Sequence, residues 1–434
     1  MTKTSPKRIV LTCLGSFGDL HPYLSIALRL KARGHAAVIA TSEMYRKKVE
    51  SEGLEFRPIR PDLAKYENDR EIFERSIHPR TGIKYFLKNV ILSGLNETYM
   101  DLESAAVGAD LLISHSLVFS GPLVAQTKGI PWVSTVLQPA AFLSKYDPPR
   151  LAAAPGLALF RPLGSLFYGP FFKLVKFSLR DLCRPIIELR AKLALPPSSG
   201  DALFKDQYSP DLTLALFSPH LGAPQQDWPV HTRVTGFPFY DHLAGSIGLS
   251  TELQRFLDAG PAPIVFTLGT TQVLAAGDFY GTSAEAARVL GMRAVLLTGR
   301  DPRNRPTHLP DGVEAFEYAP YSALFPRAAI NVHQGGVGTT GQALRVGRPM
   351  LVVTYTNDQP DNAARAEKLG VAKSIPMRKY TVQRAAARLN ALMSDKRFAA
   401  RATEIGALIQ AEDGAGIACD AVEEVLNTYC NTRH

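Results

Sequence analysis

The stretch from residue 328 to residue 362 constrains the fold more than any other part of this chain. Residues 329–332 are an apolar run with β-branched side chains, which is typical of a short buried strand. The run ends in a glycine-rich turn, residues 333–340 (HQGGVGTT), and a helical pattern follows. A second strand pattern, residues 349–355, ends in the polar side chains of residues 357–359. Because open α/β sheets bind ligands at the carboxyl edge of their strands, this stretch predicts an α/β domain with a site there.

The glycine-rich turn suits an anionic group. Gly335, Gly336 and Gly338 allow the backbone to approach a ligand closely. The first turn of the following helix offers free N–H groups and a partial positive charge. The hydroxyls of Thr339 and Thr340 either add donors or cap the helix. The alternative interpretation is an ordinary strand-to-helix turn that binds no ligand.

Together with Asp358 and Gln359, the turn resembles the sugar-nucleotide signature of the family 1 glycosyltransferases. It is similar to the bacterial branch, in which the motif runs HxGGxGTT, rather than to the plant form HCGWNS. The resemblance covers most of the chain and is strongest over residues 310–365. It implies the GT-B fold, two facing Rossmann-like domains that are each a doubly wound parallel sheet. It also implies sugar transfer from a nucleotide diphosphate with inversion at the anomeric carbon.

The length of 434 residues and the alternation of strand and helix patterns both predict two domains. We expect an N-terminal acceptor-binding domain over residues 1–236, a linker over 237–260 and a nucleotide-sugar-binding domain over 261–405. The resemblance implies that a C-terminal helix within residues 406–434 packs back on the first domain. The predicted strands are residues 9–14, 35–41, 110–114, 132–137, 212–217, 264–267, 294–298, 313–318, 329–332 and 350–353.

The resemblance also implies the residues of the donor site. His333 would donate a hydrogen bond to a phosphate oxygen. Asp358 and Gln359 would read the sugar hydroxyls, with a solvated turn as the alternative for that pair. Asn362 would either join them or only cap the next helix. The other donor contacts implied by the motif come from Gly335, Gly336, Val337, Gly338 and Thr339.

Two further elements complete the predicted donor site. Tyr318 lies where plant relatives carry a Trp that stacks on the base, so it is either a platform for uracil or thymine or a core aromatic residue. Gly269 and Thr270 follow another predicted strand and would approach the diphosphate from the opposite side. The ribose-binding Glu of the plant motif falls at Gly341, so that contact is missing or comes from Gln342.

The acceptor base is predicted just after the first strand. Plant relatives have a catalytic His where this chain has Asp19, and the Asp that orients their His corresponds to His115. The pair therefore resembles the same dyad with its members exchanged, and we expect Asp19 to raise the pKa of His115. One of the two would deprotonate an acceptor hydroxyl with the other as partner, and His21 is a third candidate base. The alternatives are that Asp19 only caps the first helix and that His115 is a satisfied core histidine.

Aromatic side chains predict an apolar acceptor. The residues predicted to contact it are Phe17, Phe142, Phe167 and Phe171, and residues 140–185 contain further aromatic side chains. An apolar pocket lined by such rings suits a phenolic, polyketide, sterol or lipid acceptor. Transfer of the sugar to oxygen and transfer to carbon are both compatible with the sequence. Ordinary helix packing is the alternative interpretation of these residues.

Composition and charge limit the partners. The net charge of +9 favours anionic ligands, but no concentrated basic and aromatic stretch suggests binding to nucleic acid. Four cysteines without metal-ligand spacing and an N-terminus without a signal-peptide pattern predict a cytoplasmic protein with reduced thiols. Residues 151–179 are apolar but interrupted by charges and prolines, which predicts no transmembrane helix and leaves peripheral membrane contact open. Monomer and dimer are both open.

The predicted function is transfer of a hexose, glucose first, from a UDP-sugar, with a dTDP-sugar as the alternative donor. No cofactor or metal is predicted, since the sequence has no Asp-x-Asp element and no clustered ligands. The alternatives are a lipid or sterol glycosyltransferase at a membrane surface, a sugar-nucleotide epimerase, and a non-catalytic sugar-nucleotide-binding protein.

Overall fold

The computed structural model describes residues 5–198, 201–240 and 248–431. The chain divides into two compact units, each built on its own sheet. The first comprises Met1–Pro149, Ala154–Tyr240 and Asp413–His434, and the second comprises Arg150–Ala153 and Asp241–Glu412. Among the described residues, no helix is both long enough and apolar enough to cross a membrane.

The sheet of the first unit is fully parallel. Its strands are β1 (Arg8–Thr12), β2 (Ala36–Thr41), β3 (Glu55–Pro58), β4 (Leu111–His115), β5 (Trp132–Val136), β6 (Leu212–Ala215) and β7 (Thr232–Val234). Within the described residues they pair in the order β3-β2-β1-β4-β5-β6-β7. The α-helices that accompany them are α1 (Phe17–Ala32), α2 (Arg46–Ser51), α3 (Leu63–Asn68), α4 (Arg70–Ser76), α5 (Gly82–Phe86), α6 (Leu95–Ala105), α7 (Gly121–Lys128), α8 (Gly164–Ser178) and α9 (Arg184–Lys192).

The second unit is also built on a fully parallel sheet, and it contains fewer residues than the first. Its strands are β8 (Ile264–Thr267), β9 (Ala294–Leu297), β10 (Val313–Phe316), β11 (Ile330–His333), β12 (Met350–Thr354) and β13 (Ala372–Pro376). Within the described residues they pair in parallel in the order β10-β9-β8-β11-β12-β13. Its α-helices are α10 (Thr251–Asp258), α11 (Gly269–Gln272), α12 (Phe279–Val289), α13 (Tyr321–Leu324), α14 (Val337–Arg345), α15 (Gln359–Lys368), α16 (Val382–Ser394) and α17 (Lys396–Gln410).

The last helix, α18 (Gly414–Asn431), belongs to the first unit and lies against α1. Its alanine-rich inner face is buried, and Cys419 is fully enclosed there. On the outer side, Arg33 pairs with Asp420 at 2.7 Å and with Glu423 at 2.9 Å. Because these ion pairs are partly exposed, burial of the apolar face contributes most of the docking energy.

The unit boundaries differ in detail from the predicted ones. The first unit continues to Tyr240, and residues 248–260 of the predicted linker already contain α10 of the second unit. Residues 241–247 of that linker lie outside the described residues. The predicted boundary at 405/406 falls inside α17, and the second unit ends at Glu412.

All ten strands expected from the sequence are present, with ends that shift by one or two residues. Three strands were not predicted, namely β3, β7 and β13. Each lies at the edge of its sheet, where only part of the strand meets the core. Edge strands therefore carry no continuous apolar run, and the pattern that reveals buried strands is missing from them.

Candidate active site

In the second unit, the glycine-rich turn joins β11 to α14 at the carboxyl edge of the sheet. Gly335 has φ +92°, and a Cβ atom there would lie 2.7 Å from Cγ1 of Val352. Only glycine fits this position without strain. Gly336 is the N-cap of α14 and has no side chain to cap it, so the N–H groups of the first turn are left for another partner. The arrangement is that of an anion site at a helix N-terminus.

His333 is the last residue of β11 and is fully buried. Its Nδ1 accepts the N–H of Gly335 at 3.1 Å, and its Nε2 lies 3.4 Å from Sδ of Met350. Burial lowers the pKa of the imidazole to about 3, so His333 is neutral at pH 7. In this geometry His333 holds the glycine turn in shape, and its predicted hydrogen bond to phosphate stays a prediction.

Gly269 and Gln334 bring the loop after β8 next to the glycine-rich turn. Gly269 has φ +67° and begins α11, and a Cβ atom there would lie 2.4 Å from Nε2 of Gln334. The glycine therefore permits the close approach of two neighbouring loops. Thr270 is the next residue of that short helix, so the structure places the two predicted elements at one edge.

Asp358, Gln359 and Asn362 form a connected group after β12. Oε1 of Gln359 accepts the N–H groups of Tyr355 at 2.7 Å and Thr356 at 3.1 Å. Nδ2 of Asn362 donates to the carbonyl of Gly335 at 2.9 Å and to Asp358 at 2.6 Å. Asn362 thus ties this group to the glycine-rich turn and does more than cap α15, whose interior it occupies.

Tyr318 lies in the loop after β10, and its side chain is 60% exposed. A core aromatic residue would be enclosed, so the structure contradicts that alternative. An exposed ring at the sheet edge is compatible with the predicted stacking platform, and the stacking itself stays a prediction.

In the first unit, Asp19 and His115 lie side by side. His115 ends β4, and Asp19 is in the first turn of α1, which follows the adjacent strand β1. Oδ1 of Asp19 is 3.9 Å from Nε2 of His115. The other carboxylate oxygen, Oδ2, accepts the N–H of Ser16 at 2.6 Å and its hydroxyl at 3.0 Å. Asp19 therefore caps the helix with one oxygen and faces His115 with the other, so it does more than cap the helix, and its catalytic role stays a prediction.

The hydrogen bond between His115 and Leu14 determines which ring nitrogen of His115 carries the hydrogen. Nδ1 is 3.1 Å from the carbonyl oxygen of Leu14, which can only accept, so Nδ1 carries the hydrogen. In the neutral ring, Nε2 then presents a lone pair toward Asp19. Burial lowers the pKa of His115 by more than Asp19 raises it, so the expected net increase in pKa is wrong. Oδ1 of Asp19 and Nε2 of His115 are therefore two hydrogen-bond acceptors that face each other. One added proton would let them form a hydrogen bond.

His21 is the weaker candidate base. Its ring stacks on Tyr240 at 5.0 Å and lies 5.5 Å from the ring of Phe17. Burial, with a smaller effect of the Lys48 charge, lowers its pKa to about 4. The side chain faces aromatic neighbours and has no carboxylate partner among the described contacts.

The predicted acceptor residues fall into three places. Phe17 begins α1 beside Asp19 and packs edge-on against Tyr45 at 4.9 Å. Phe167 and Phe171 lie together on α8 with ring centroids 5.9 Å apart. Phe142 stacks on Trp228 at 4.1 Å in a separate aromatic cluster. The structure brings Phe167 and Phe171 together but does not join Phe142 to them, and acceptor contact stays a prediction for all four.

Two family models match this chain, one in each half. Residues 9–106 match the glycosyltransferase family 28 N-terminal domain. Residues 287–419 match the C-terminal domain described as erythromycin biosynthesis protein CIII-like.

The chain is 30% identical over 428 residues to O-mycaminosyltylonolide 6-deoxyallosyltransferase of Streptomyces fradiae, covering 97% of this chain and 98% of that protein. The chain belongs to the family 1-like bacterial glycosyltransferases. It is also 27% identical to sterol 3-beta-glucosyltransferase of Neurospora crassa, over 98% of this chain but 28% of that protein. The glycosyltransferase thus corresponds to only a part of the fungal relative.

Solved structures show the same fold. Glycosyltransferase VinC, solved in complex with dTDP, aligns with a TM-score of 0.66 and 20% identity, over 97% of this chain and all of that one. Two parallel-sheet α/β units of this kind are the GT-B architecture.

The structure of this glycosyltransferase adds residues that sequence reasoning missed. Within the described part of the second unit, the buried polar atoms without a hydrogen-bond partner include Gln334 Oε1, Gln342 Oε1, Thr340 Oγ1, Asn362 Oδ1 and Gln272 Nε2. A buried polar atom without a partner is costly, so these atoms are candidates for contact with a bound ligand, and that contact stays a prediction. Gln334 and Gln272 were not predicted as site residues. For Gln334, its position inside the glycine-rich motif was a sequence signal that could have identified it.

Metal ligands are not clustered in the part of the chain that the structure describes, where no group of three or more His, Cys, Asp or Glu side chains is placed to hold an ion. The prediction of a reaction without cofactor is not tested by this observation.

The buried histidines predict a pH-dependent stability. The pKa of His333 is lowered to about 3 and that of His21 to about 4, below the unfolded value near 6.5. The unfolded chain therefore binds more protons than the folded chain once the pH falls below about 6.5, and the free energy of unfolding decreases progressively down to pH about 3. We expect the urea midpoint to fall over this range. His333→Asn keeps an acceptor for the N–H of Gly335 and should flatten this dependence of stability on pH. An unchanged slope in His333→Asn would contradict the assignment.

A second prediction concerns Gln359. Gln359→Glu keeps an oxygen for the N–H groups of Tyr355 and Thr356 but replaces the amide NH₂ by an acceptor. If that NH₂ donates to a sugar hydroxyl, the donor KM should rise about tenfold with unchanged thermal stability. Gln359→Ala should lose both stability and donor binding. Isothermal titration with the donor and thermal melting separate the two effects, and a Glu variant with wild-type KM would remove Gln359 from the donor site.

Proposed function

We propose that this glycosyltransferase moves a hexose from a UDP-sugar, or from a dTDP-sugar, to a hydroxyl of an apolar natural product or sterol. Glucose is the first sugar to test. The observation that carries the proposal is the Asp19 and His115 pair, whose facing oxygen and nitrogen are 3.9 Å apart at the carboxyl edge of the first sheet. A pair that gains a hydrogen bond on accepting a proton suits deprotonation of an acceptor hydroxyl.

Asp19 is the better candidate to touch the acceptor. Its side chain is about a quarter exposed, whereas that of His115 is almost completely buried. Asp19 can therefore receive the hydroxyl proton, and His115 then shares it through Nε2. On this view His115 is the positioning partner, because its Nδ1 is anchored to Leu14 and its ring has one orientation.

The donor half of the proposal rests on the second unit. The open N–H groups of α14, the unpartnered oxygen of Gln334 and the Asp358–Gln359 pair lie along loops at one sheet edge. VinC carries a nucleoside diphosphate, which supports the same donor class for this chain. The helix N-terminus stabilises the charge that grows on the departing diphosphate.

The proposed reaction exchanges one bond to the anomeric carbon of the donor sugar for another. The acceptor oxygen forms a bond to the anomeric carbon on the face opposite the leaving group, and the bond from that carbon to the diphosphate oxygen breaks. The electron pair of the broken bond leaves with the nucleoside diphosphate. The proton of the acceptor hydroxyl ends on the Asp19 and His115 pair, and the anomeric configuration inverts.

The relatives guide the choice of acceptor. One is named for O-mycaminosyltylonolide and the other for a sterol, so both acceptor classes belong in the screen. We would measure release of UDP or dTDP from a donor panel, with macrolide aglycones, sterols and flavonoids, and read the products by mass spectrometry. Acceptor-dependent release with an added sugar mass is expected. Donor binding with neither release nor adduct would favour the non-catalytic interpretation, and conversion of the donor sugar without acceptor would favour an epimerase.

A further inference from the structure

We propose that the segment from residue 155 to residue 180 binds the surface of a bilayer that contains anionic lipids. The proposal does not depend on the identity of donor or acceptor. It rests on the side chains of α8 and of the turn before it, which are apolar on the side that faces solvent.

The helix α8 has two apolar faces. Tyr168 and Phe172 point inward and are buried. The outward stripe consists of exposed residues at intervals of three or four positions, which places them along one side of a helix. Its large apolar members are Leu166, Leu174 and Phe177, and Leu159 and Leu163 are exposed in the 3-10 turn Pro155–Leu163 that precedes α8.

The exposure of this stripe is unusual for apolar side chains. Leu166 is 86% exposed and Leu159 in the preceding turn is 82% exposed, while Leu174 and Phe177 remain more than half exposed. Isolated exposed leucines need no explanation, but several in register along one helix side form a patch. Such a patch is covered by a membrane or by another protein.

Charge favours the membrane. Residues 155–180 contain Arg161, Lys173, Lys176 and Arg180 and no acidic residue. Arg161, Lys176 and Arg180 pair with acids that lie outside the segment, Asp147, Asp201 and Asp181. Lys173 and Arg180 flank the outer stripe, and Arg180 stacks over the ring of Phe177 at 4.3 Å.

Leucine and phenylalanine beside lysine and arginine on an in-plane helix are the pattern of interfacial membrane binding. A second copy of this chain fits less well. A two-fold contact through the same stripe would bring Lys173 of each copy to the shared face, and among the described residues Lys173 has no acidic partner to offset its charge. The occupant is therefore a lipid surface whose headgroups carry negative charge.

The test uses the full chain and sedimentation with large unilamellar vesicles. Binding should be strong to an equal mixture of phosphatidylglycerol and phosphatidylcholine, weak to phosphatidylcholine alone, and reduced by high salt. Leu166→Asn/Leu174→Asn/Phe177→Asn should reduce partitioning at least about tenfold. Lys173→Gln/Arg180→Gln should reduce it on the anionic vesicles only. Circular dichroism and the unfolding midpoint check that each variant is folded.

The matched control changes exposed apolar residues elsewhere. Val107, Val230 and Val289 are all more than half exposed. Val107→Asn/Val230→Asn/Val289→Asn should bind vesicles like the unchanged chain. Absence of binding to anionic vesicles, or equal binding by the Leu166 triple variant, would overturn the proposal. Self-association in sedimentation velocity that the triple variant abolishes, without vesicle binding, would assign the stripe to a second copy instead.

Discussion

Asp19→Asn is expected to lower kcat by about 10²–10⁴ while the donor KM stays close to that of the unchanged enzyme. Asn keeps the size of Asp and an oxygen for the N–H of Ser16, so the start of α1 is preserved. What is lost is the carboxylate that faces His115 and can hold the acceptor proton. Steady-state kinetics with a substrate pair found in the donor and acceptor screen would measure both constants.

The control for Asp19→Asn is the same change at another helix cap. Asp62 caps α3 by accepting the N–H of Ala64 at 3.2 Å and lies outside the catalytic pair, so Asp62→Asn should leave kcat unchanged. His115→Gln should also lower kcat, and the double variant should be no worse than the more damaging single one, because the pair acts as a unit. Near-normal turnover in both single variants would exclude the pair and make His21 the next base to test.

Gly335→Ala is expected to destabilise the second unit by about 1–3 kcal/mol and to weaken donor binding. The residue has φ +92°, which an L side chain rarely adopts. Its new Cβ would lie 2.7 Å from Val352 and 3.2 Å from the carbonyl oxygen of Gln359. Relief of that overlap must displace either β12 or α15, and both support the donor site.

The matched control for this change is Gly94→Ala. Gly94 has negative φ, and a Cβ atom there meets nothing within 4 Å. We expect no loss of stability or donor affinity in that variant. Urea unfolding followed by circular dichroism, together with calorimetric titration of UDP or dTDP, measures both quantities. Equal stability of the two variants would show that the turn relaxes without cost.

The donor turn illustrates what local sequence can predict. The strand and the glycines follow from short-range preferences, because backbone conformation depends on neighbouring residues. The helix begins at Val337, earlier than the predicted end of the turn at residue 340, so Thr339 and Thr340 lie inside α14 and neither is its N-cap. The role of His333 does not follow from short-range preferences. Its buried imidazole accepts from Gly335 and faces Met350, a residue of the next strand that only the folded sheet brings near.

For the Asp19 and His115 pair, too, the sequence predicts one part and the fold decides the other. A resemblance placed Asp19 and His115 as partners, and the adjacency of β1 and β4 brings them together. The direction of the pKa of His115 was predicted wrongly, since the charge of Asp19 is visible in the sequence and the depth of burial is not.

The sequence by itself determined the family, the parallel α/β architecture, the central strands of both sheets and the loops that carry polar groups, because these depend on local patterns and on a shared motif. Only the tertiary structure decided the edge strands β3, β7 and β13, the separate packing of Phe142, the unpartnered oxygen of Gln334 and the outward apolar stripe of α8. Each of these depends on which atoms lack or gain a neighbour from a distant part of the chain. Burial is a property of the whole fold, and a pattern along the chain reports it only where a strand or helix face is uniformly enclosed.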